Sequence, residues 1–464
     1  MSTEDRFLSC LEAAVGPQDL RTATGDCWPY GMDNSRRHAL PRAVLLASSH
    51  EQLAAAVRIC AQFAVPLTTR GRGTGTAGGA VPEHGGLVIS LERMDRVKEF
   101  VPEDRLIVVE AGITNARVQE TIGEAGFFWP PDPTSSAICT VGGNIACNAA
   151  GPKAVKYGTT REHVLGLRAI TGLGQTLRTG TRTTKGVVGY DLTRLLIGSE
   201  GTLGLVTEAT LKLTPRPEAR RMFRVLYQDM RGASRGISRL MAQPVVPSAL
   251  EFIDGMALAL LRRHRGVDIP EAAGAMLMVE IDGTEAAVTA GTSAILRTAD
   301  GPGCLEVRAA TDDREAAQLW AARKALSPTL RHLAPKKINE DVVVPVSRIP
   351  ELTDTLQELA HAQQLTIASF GHAGNGNLHV NLMVDPDDPE QMKRADIALD
   401  AVFWRVLELG GTLSGEHGIG RVKRAFVPME LDPVALNIMH GIRQVLDPHG
   451  ILNPGSKLPQ VETT

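Results

Sequence analysis

At 464 residues the chain is long enough for two domains or three. Apolar residues make up 43% and charged residues 22%, and the net charge is -3 with no cluster of Lys and Arg among aromatics, which argues against a nucleic-acid partner. No run approaches the roughly 20 apolar residues that span a bilayer, and the acidic start MSTEDRFLSCLEAAVG does not read as a secretory signal.

The elements follow in chain order. Residues 50–64 have helical spacing, with Leu53, Val57 and Cys60 on one face. A strand from Val65 to Thr69 runs into the turn RGRGTGTAGG. Strands are expected at 87–91 and 105–112, and a helix over 114–125 capped by Thr114. GLRAITGLGQTL, 166–177, reads as a hairpin turning at Gly172 and Gly174, and 203–213 alternates like a half-buried strand from Val206 onward. TPRPEARR, 214–221, marks a boundary. Beyond it, strands at 222–228 and 275–281 alternate with helices near 231–242, 285–298 and 312–333. Then come a strand at 342–346, a helix at 350–363, strands at 365–370 and 378–384, and a helix at 388–409. This half reads as an α+β cap with a largely antiparallel sheet.

Six cysteines (10, 27, 60, 139, 147 and 304) form no C-x-x-C pair, so thiols in a reducing cytoplasm are expected, without a disulfide framework or a Cys-rich zinc site.

Gly73, Gly75 and Gly78 fit G-x-G-x-x-G, with Glu92 at about the distance of a ribose-binding acid. A Rossmann fingerprint needs a helix straight after the glycines, and Pro82, Gly85 and Gly86 oppose one. A loop whose own amides cradle a pyrophosphate, with Arg70 and Arg72 nearby, fits better. PPDPTSSAICTVGGNIACNAAG, 130–151, is almost uncharged and suits hydrogen bonding from backbone and hydroxyls to a polar planar ligand. GSEGTLGLVTEA, 198–209, is a second tight turn entering a strand.

In the second half, FGHAGNGNLHVNL, 370–382, places His372 and His379 seven residues apart, too far for one helix face. The glycines between them make a turn that can bring both imidazoles together. Glu416 of SGEHGIG would complete a His/His/carboxylate metal set with open positions, suited to Zn, Mn or Fe. His417 beside it carries an imidazole, a group suited to accepting a substrate hydroxyl proton.

Taken in order, PLTTRGRGTGTAGG, PPDPTSSAICTVGGNIACNAAG, KYGTTREHVLGL and LLIGSEGTLGLVTEATLKL resemble the PCMH-type flavin-binding domain of the vanillyl-alcohol-oxidase superfamily. The C-terminal half resembles the FAD-linked oxidase C-terminal domain of D-lactate dehydrogenases, glycolate oxidase flavin subunits and D-2-hydroxyglutarate dehydrogenases. Together they cover roughly residues 35–457. The resemblance implies an α+β fold: a two-subdomain FAD-binding domain over 1–217, a cap over 218–440 and a segment at 441–464 returning to the first domain. It implies that Arg70, Gly71, Arg72, Gly73, Thr74, Gly75 and Thr76 bind the pyrophosphate. Pro131, Thr134, Thr140, Gly142, Gly143, Asn144, Gly151, Tyr157, Glu200, Gly201, Gly204 and Val206 would line the FAD, and Asn453 would contact it from the closing segment. The pyrophosphate loop has no His or Cys to tether the flavin, so a non-covalent cofactor is expected.

The resemblance also implies that Arg323 and Lys337 bind the substrate carboxylate, with Ser327 offering a hydroxyl in the same stretch, and that a metal belongs on His372, His379 and Glu416. Lys324, Arg331 and Lys336 read as a solvated helix face. The expected activity is oxidation of a small D-2-hydroxy acid. The alternatives are D-2-hydroxyglutarate and a flavoprotein subunit of a larger oxidase complex with little activity alone. Quinone, cytochrome, electron-transferring flavoprotein and oxygen all stay open as electron acceptors. So do a homodimer and a peripheral place at the inner membrane.

Overall fold

The computed structural model describes residues 3–265 and 268–459, so the expected domain ends at 1–2 and 460–464 lie outside the described residues. The chain divides into two compact units. The first comprises Met1–Ala150, Gly158–Arg216 and Glu416–Thr464; the second comprises Gly151–Tyr157 and Pro217–Gly415.

The first unit carries two main sheets. In one, Ala43–Leu46, Leu87–Ser90 and Leu67–Arg70 run parallel, with the short Leu20–Arg21 antiparallel at the edge. Its three parallel strands have buried leucines, valines and isoleucines, as a sheet covered on both faces requires. The helix His50–Phe63 packs Leu53, Val57 and Cys60 onto it. Ser49 caps that helix by accepting from the Gln52 amide at 3.1 Å, worth about 1 kcal/mol. The other sheet is antiparallel throughout, in the order Val97–Val101, Leu106–Glu110, Leu205–Lys212, Val164–Ile170, Thr176–Gly180. Leu205–Lys212 alternates buried and half-buried positions along its length, matching the expected half-buried strand. The hairpin turns at Gly174, whose φ is +70°. The closing segment returns to the first sheet: the Leu67 amide donates to the Ile451 carbonyl at 2.9 Å, and the Asn453 amide donates to the Leu67 carbonyl at 2.8 Å.

The second unit is built on a seven-stranded antiparallel sheet. Its order is Cys304–Ala309, Ala219–Tyr227, Ala275–Gly283, Ala249–Asp254, Thr366–Gly371, Asn377–Val384, Lys336–Val343. The helices Gly255–Arg265 and Asp313–Thr329 share one apolar cluster with Ile253, Met276, Met278, Ala368, Phe370 and Met383. The segment Gly151–Tyr157 is tied to the strand Ala275–Gly283: Lys153 pairs with Glu280 at 3.2 Å, and Lys156 and Tyr157 both bind Asp282. Among the described residues no helix is long and apolar enough to cross a membrane.

Three of the departures from expectation bear on the site. The strand expected at 342–346 is Lys336–Val343 and stops before Pro345, which cannot donate to a ladder. The strand Ala249–Asp254 was not foreseen. Within 130–151, where no helix was expected, Val141–Cys147 forms one despite two glycines, because Thr140 caps it by accepting from the Gly143 amide at 3.1 Å.

Candidate active site

In the first unit the stretch after Leu67–Arg70 is irregular, with no helix over 71–86, so the Rossmann alternative finds no support in the fold. Glu92 is engaged elsewhere: it accepts from the Tyr30 hydroxyl at 3.1 Å and pairs with Arg72 at 3.6 Å. Arg70 donates to the carbonyls of Met32 and Pro29 and lies 5.9 Å from the Tyr30 ring centroid. Burial lowers its pKa.

This loop packs on the start of the helix Val141–Cys147. A Cβ at Gly71 would sit 2.3 Å from the Thr140 hydroxyl oxygen. The Gly142 amide donates to the Ala111 carbonyl at 2.7 Å, and a Cβ there would lie 2.8 Å from the Ala111 methyl. One turn on, Asn144 is buried, and its amide nitrogen has no hydrogen-bond partner among the described residues. Nothing lies within 4 Å of where a Gly75 Cβ would be. An orphaned buried donor beside a small-residue loop fits a polar ligand such as a dinucleotide.

Glu200, in the left-handed region at φ +53°, accepts from the amides of Ile419 and Gly420 at 2.8 and 2.6 Å and from Lys457 at 3.3 Å. It thereby anchors the turn that follows Glu416 and His417. Asn453 donates to the carbonyls of Gly79 and Glu200, each at 2.9 Å, and accepts from Arg421 at 3.1 Å. Its side chain thus clasps two of the expected flavin-binding turns. Of the residues expected along the FAD, all but Gly151 and Tyr157 belong to this unit.

In the second unit, strand register builds a polar patch. His379 stands opposite Phe370 on one side and Asp341 on the other; Asn381 stands opposite Ala368 and Asn339; Met383 stands opposite Thr366 and Lys337. Directly paired residues share a face, so these rows lie on one surface of the sheet. The chain doubles back between His372 and His379 through Ala373–Asn375 and Gly376, whose φ is +74°. A Cβ at Gly376 would lie 1.8 Å from the Val344 carbonyl oxygen, so only glycine fits. The fold-back puts the two imidazole centroids 5.2 Å apart and nearly perpendicular.

Each imidazole is buried beside a carboxylate. His372 Nδ1 lies 2.6 Å from Glu251 Oε1, and His379 Nδ1 lies 3.7 Å from Asp341 Oδ1. Metal-bound histidines characteristically carry a hydrogen-bonded carboxylate on the ring nitrogen away from the ion, and His372 fits that pattern, whereas His379 Nδ1 is too far from Asp341 to hydrogen-bond to it. Glu251 Oε2 pairs with Arg323 Nε at 2.7 Å. Burial alone would push the Glu251 carboxyl up, but the charges of His372 and Arg323 outweigh it and hold the pKa below the usual range. The Arg323 guanidinium lies 4.7 Å from the Phe370 ring centroid. Lys337 donates to Ser327 at 2.8 Å. Three expected substrate residues therefore sit in this unit with both histidines. Glu416 and His417 fall in the other unit, directly after Gly415 in the chain.

Two residues here escaped the sequence reading. Glu251 lies in the unforeseen strand, where its signal was a lone acid inside the apolar run ALEFI. Asp341 precedes the strand expected at 342–346 and follows the cations Lys336 and Lys337, with no motif of its own. It is fully buried, and it accepts from Asn377 at 2.6 Å, the Gly415 amide at 2.9 Å and Ser414 at 3.2 Å.

Comparison with known proteins adds an independent line. Residues 216–456 match the family described as FAD linked oxidases, C-terminal domain, and residues 41–180 match an FAD binding domain. The glycolate oxidase subunit GlcD of Bacillus subtilis is 35% identical, over 95% of this chain and 94% of its own. The D-2-hydroxyglutarate dehydrogenase of Xanthomonas citri pv. viticola is 36% identical, over 98% and 97%. The D-lactate dehydrogenase of Anaerostipes hadrus is 33% identical, over 90% and 89%. Among solved structures, substrate-bound p-cresol methylhydroxylase superposes with a TM-score of 0.83 at 18% identity, covering 100% of this chain and 98% of that one, which supports the two-domain α+β fold. An FAD-binding domain joined to this cap, at these identities over nearly the whole length, makes the chain a member of the FAD-linked oxidase family and a flavin-dependent oxidoreductase.

Proposed function

We propose that the chain oxidises a small D-2-hydroxy acid, of the lactate or glycolate kind, to the 2-oxo acid. The observation that supports this reading is in the second unit, where two buried imidazoles lie 5.2 Å apart, Glu251 pairs with both His372 and Arg323, and Lys337 meets Ser327 on the helix that carries Arg323. Arg323 and Lys337 hold the substrate carboxylate, the arginine through two parallel hydrogen bonds from its fork. Ser327 steadies Lys337. His372, His379 and Glu416 are the residues that would hold a divalent metal, with Asp341 beside His379. Gly415 supports including Glu416 and His417, because its amide is bound by Asp341 and those two residues follow it in the chain. When bound, a Zn, Mn or Fe ion supplies polarisation of the substrate hydroxyl, and non-covalent FAD supplies the hydride acceptor. His417 takes the hydroxyl proton as the C2 hydrogen leaves with its electron pair, so that a carbonyl forms at C2.

In this reading residues 1–217 bind FAD, 218–440 form the cap and 441–464 close on the first domain. The two amides bound by Glu200 and the three bonds of Asn453 support a stiff closing segment. An external quinone, cytochrome or electron-transferring flavoprotein reoxidises the flavin. A longer acid such as D-2-hydroxyglutarate carries a second carboxylate and needs one more cation.

The test is anaerobic mixing of the purified chain with D- and L-lactate, glycolate and D-2-hydroxyglutarate, following flavin absorbance. Bleaching by D-lactate or glycolate is expected, and a chelator is expected to abolish it. Protein that is colourless after gentle purification, or that is bleached only by L-acids, would sink the reading.

A further inference from the structure

We propose that Glu251 is a positioning residue that sets the metal-binding imidazole and the substrate-binding guanidinium from a single carboxylate. The inference rests on the function proposed above and goes beyond it, because that function gives Glu251 no role of its own and it would act through His372 and Arg323.

Its two oxygens are divided between two partners. Oε1 lies 2.6 Å from His372 Nδ1, and Oε2 lies 2.7 Å from Arg323 Nε. The carboxylate side chain is 1% exposed and its partners are each 8% exposed, so water does not compete for either contact. A carboxylate this deeply buried is tolerated only when paired, and removing one member of such a set leaves a charge stranded.

The contacts have chemical consequences. An Nδ1 that donates to a carboxylate carries the ring proton, which leaves the Nε2 lone pair for a metal and makes the ring more basic. On the other side, Arg323 Nε is ion-paired with Glu251 Oε2 at 2.7 Å without hydrogen-bond geometry between the two atoms. The pairing is made through Nε, so the terminal nitrogens are the end of the fork that would meet a substrate carboxylate. Phe370 supports the guanidinium at 4.7 Å from its ring centroid and also stands opposite His379 in the sheet. One rigid strand, Ala249–Asp254, therefore fixes the orientation of a metal ligand and of a substrate ligand at once.

The experiment uses the full-length flavoprotein, stripped of metal by a chelator and titrated with Mn²⁺ against a competing chelator. Glu251→Gln keeps the size and one acceptor oxygen but removes the charge. The expected result is a Mn²⁺ dissociation constant raised about 10- to 100-fold with flavin content unchanged. The KM for the hydroxy acid should rise as well, because Arg323 loses its counter-charge. In a His372→Ala background the same substitution should weaken Mn²⁺ binding no further, whereas a merely structural carboxylate would cost the same factor in both backgrounds. If Glu251→Gln cannot be purified, Glu251→Asp carries the test, since it keeps the charge but withdraws it by one methylene; weaker Mn²⁺ binding is again expected. Wild-type affinity in either variant, or equal losses in both backgrounds, overturns the proposal. A wild-type protein that binds no divalent ion overturns the metal reading itself and this inference with it.

Discussion

The two units meet small molecules with different materials. In the first, the surfaces that suit FAD come from backbone and small residues: an irregular glycine loop, a helix start held by Thr140, and turns fixed by Glu200 and Asn453. In the second, the patch comes from charged and titratable side chains on strands, a turn and a helix, with His372 and Arg323 both braced by the buried Glu251. Backbone recognition is sensitive to added volume and indifferent to lost charge. Side-chain recognition behaves the other way round.

Three substitutions sharpen or break that contrast. The largest effect is expected for His379→Ala in the side-chain patch. In the function proposed above His379 holds the metal, and losing such a ligand would remove several kcal/mol of stabilisation of the developing charge, so single-turnover flavin reduction should fall on the order of 10²- to 10⁴-fold. Flavin content should stay at the wild-type level. Flavin loss in this variant would show that the two kinds of surface are not independent.

Gly142→Ala is the complementary change. The new methyl would meet the Ala111 methyl at 2.8 Å and its carbonyl oxygen at 2.9 Å. Overpacking of this kind costs about 1–3 kcal/mol. Lower flavin retention and a lower Tm are expected, with metal affinity preserved. An unchanged Tm would mean that the helix start can shift at no cost.

The smallest effect belongs to Asp254, a buried acid at the end of the strand that carries Glu251. Burial pushes its pKa up to about 6, against 3.8 for the free side chain, even though it accepts from the Ala257 amide and from Ser369. A carboxyl whose folded pKa is raised penalises the fold once it ionises. The penalty is absent below about pH 4, grows as pH rises towards 6 and is fully present above that. Asp254→Asn carries no such penalty. Relative to wild type it should therefore be more stable at about pH 7.5 than at about pH 4.5, whatever constant cost its altered hydrogen bonds add. Chemical denaturation of both proteins at the two pH values checks the sign; a pH-independent difference would show that Asp254 ionises normally.

The same contrast explains what could be read from the sequence. Helices with a clear apolar period were legible: 50–64, 312–333 and 388–409 correspond to His50–Phe63, Asp313–Thr329 and Pro389–Glu408. The meeting of His372 with His379 was also legible, because glycines between two histidines announce a fold-back. The helix Val141–Cys147 was not, since Gly142 and Gly143 lower its intrinsic propensity and the Thr140 cap together with packing against Ala111 supplies the difference. Asp341 and Glu251 were hidden for another reason. Their roles depend on strand register, Asp341 opposite His379 and Glu251 one strand from the His372 turn, and register is a long-range property. Placing a strand at 342–346 instead of Lys336–Val343 removed Asp341 from view.

The division of the chain also bears on biogenesis. The first unit is assembled from three separate stretches, the last beginning at Glu416, and its strand Leu67–Arg70 bonds to residues 451 and 453. A nascent polypeptide leaving the ribosome therefore holds a half-finished dinucleotide fold while the whole intervening cap is being synthesised. That cap, apart from the short stretch 151–157 already made, is contiguous, so it can mature first, and the older half must wait, exposed to chaperones, for the tail that completes it.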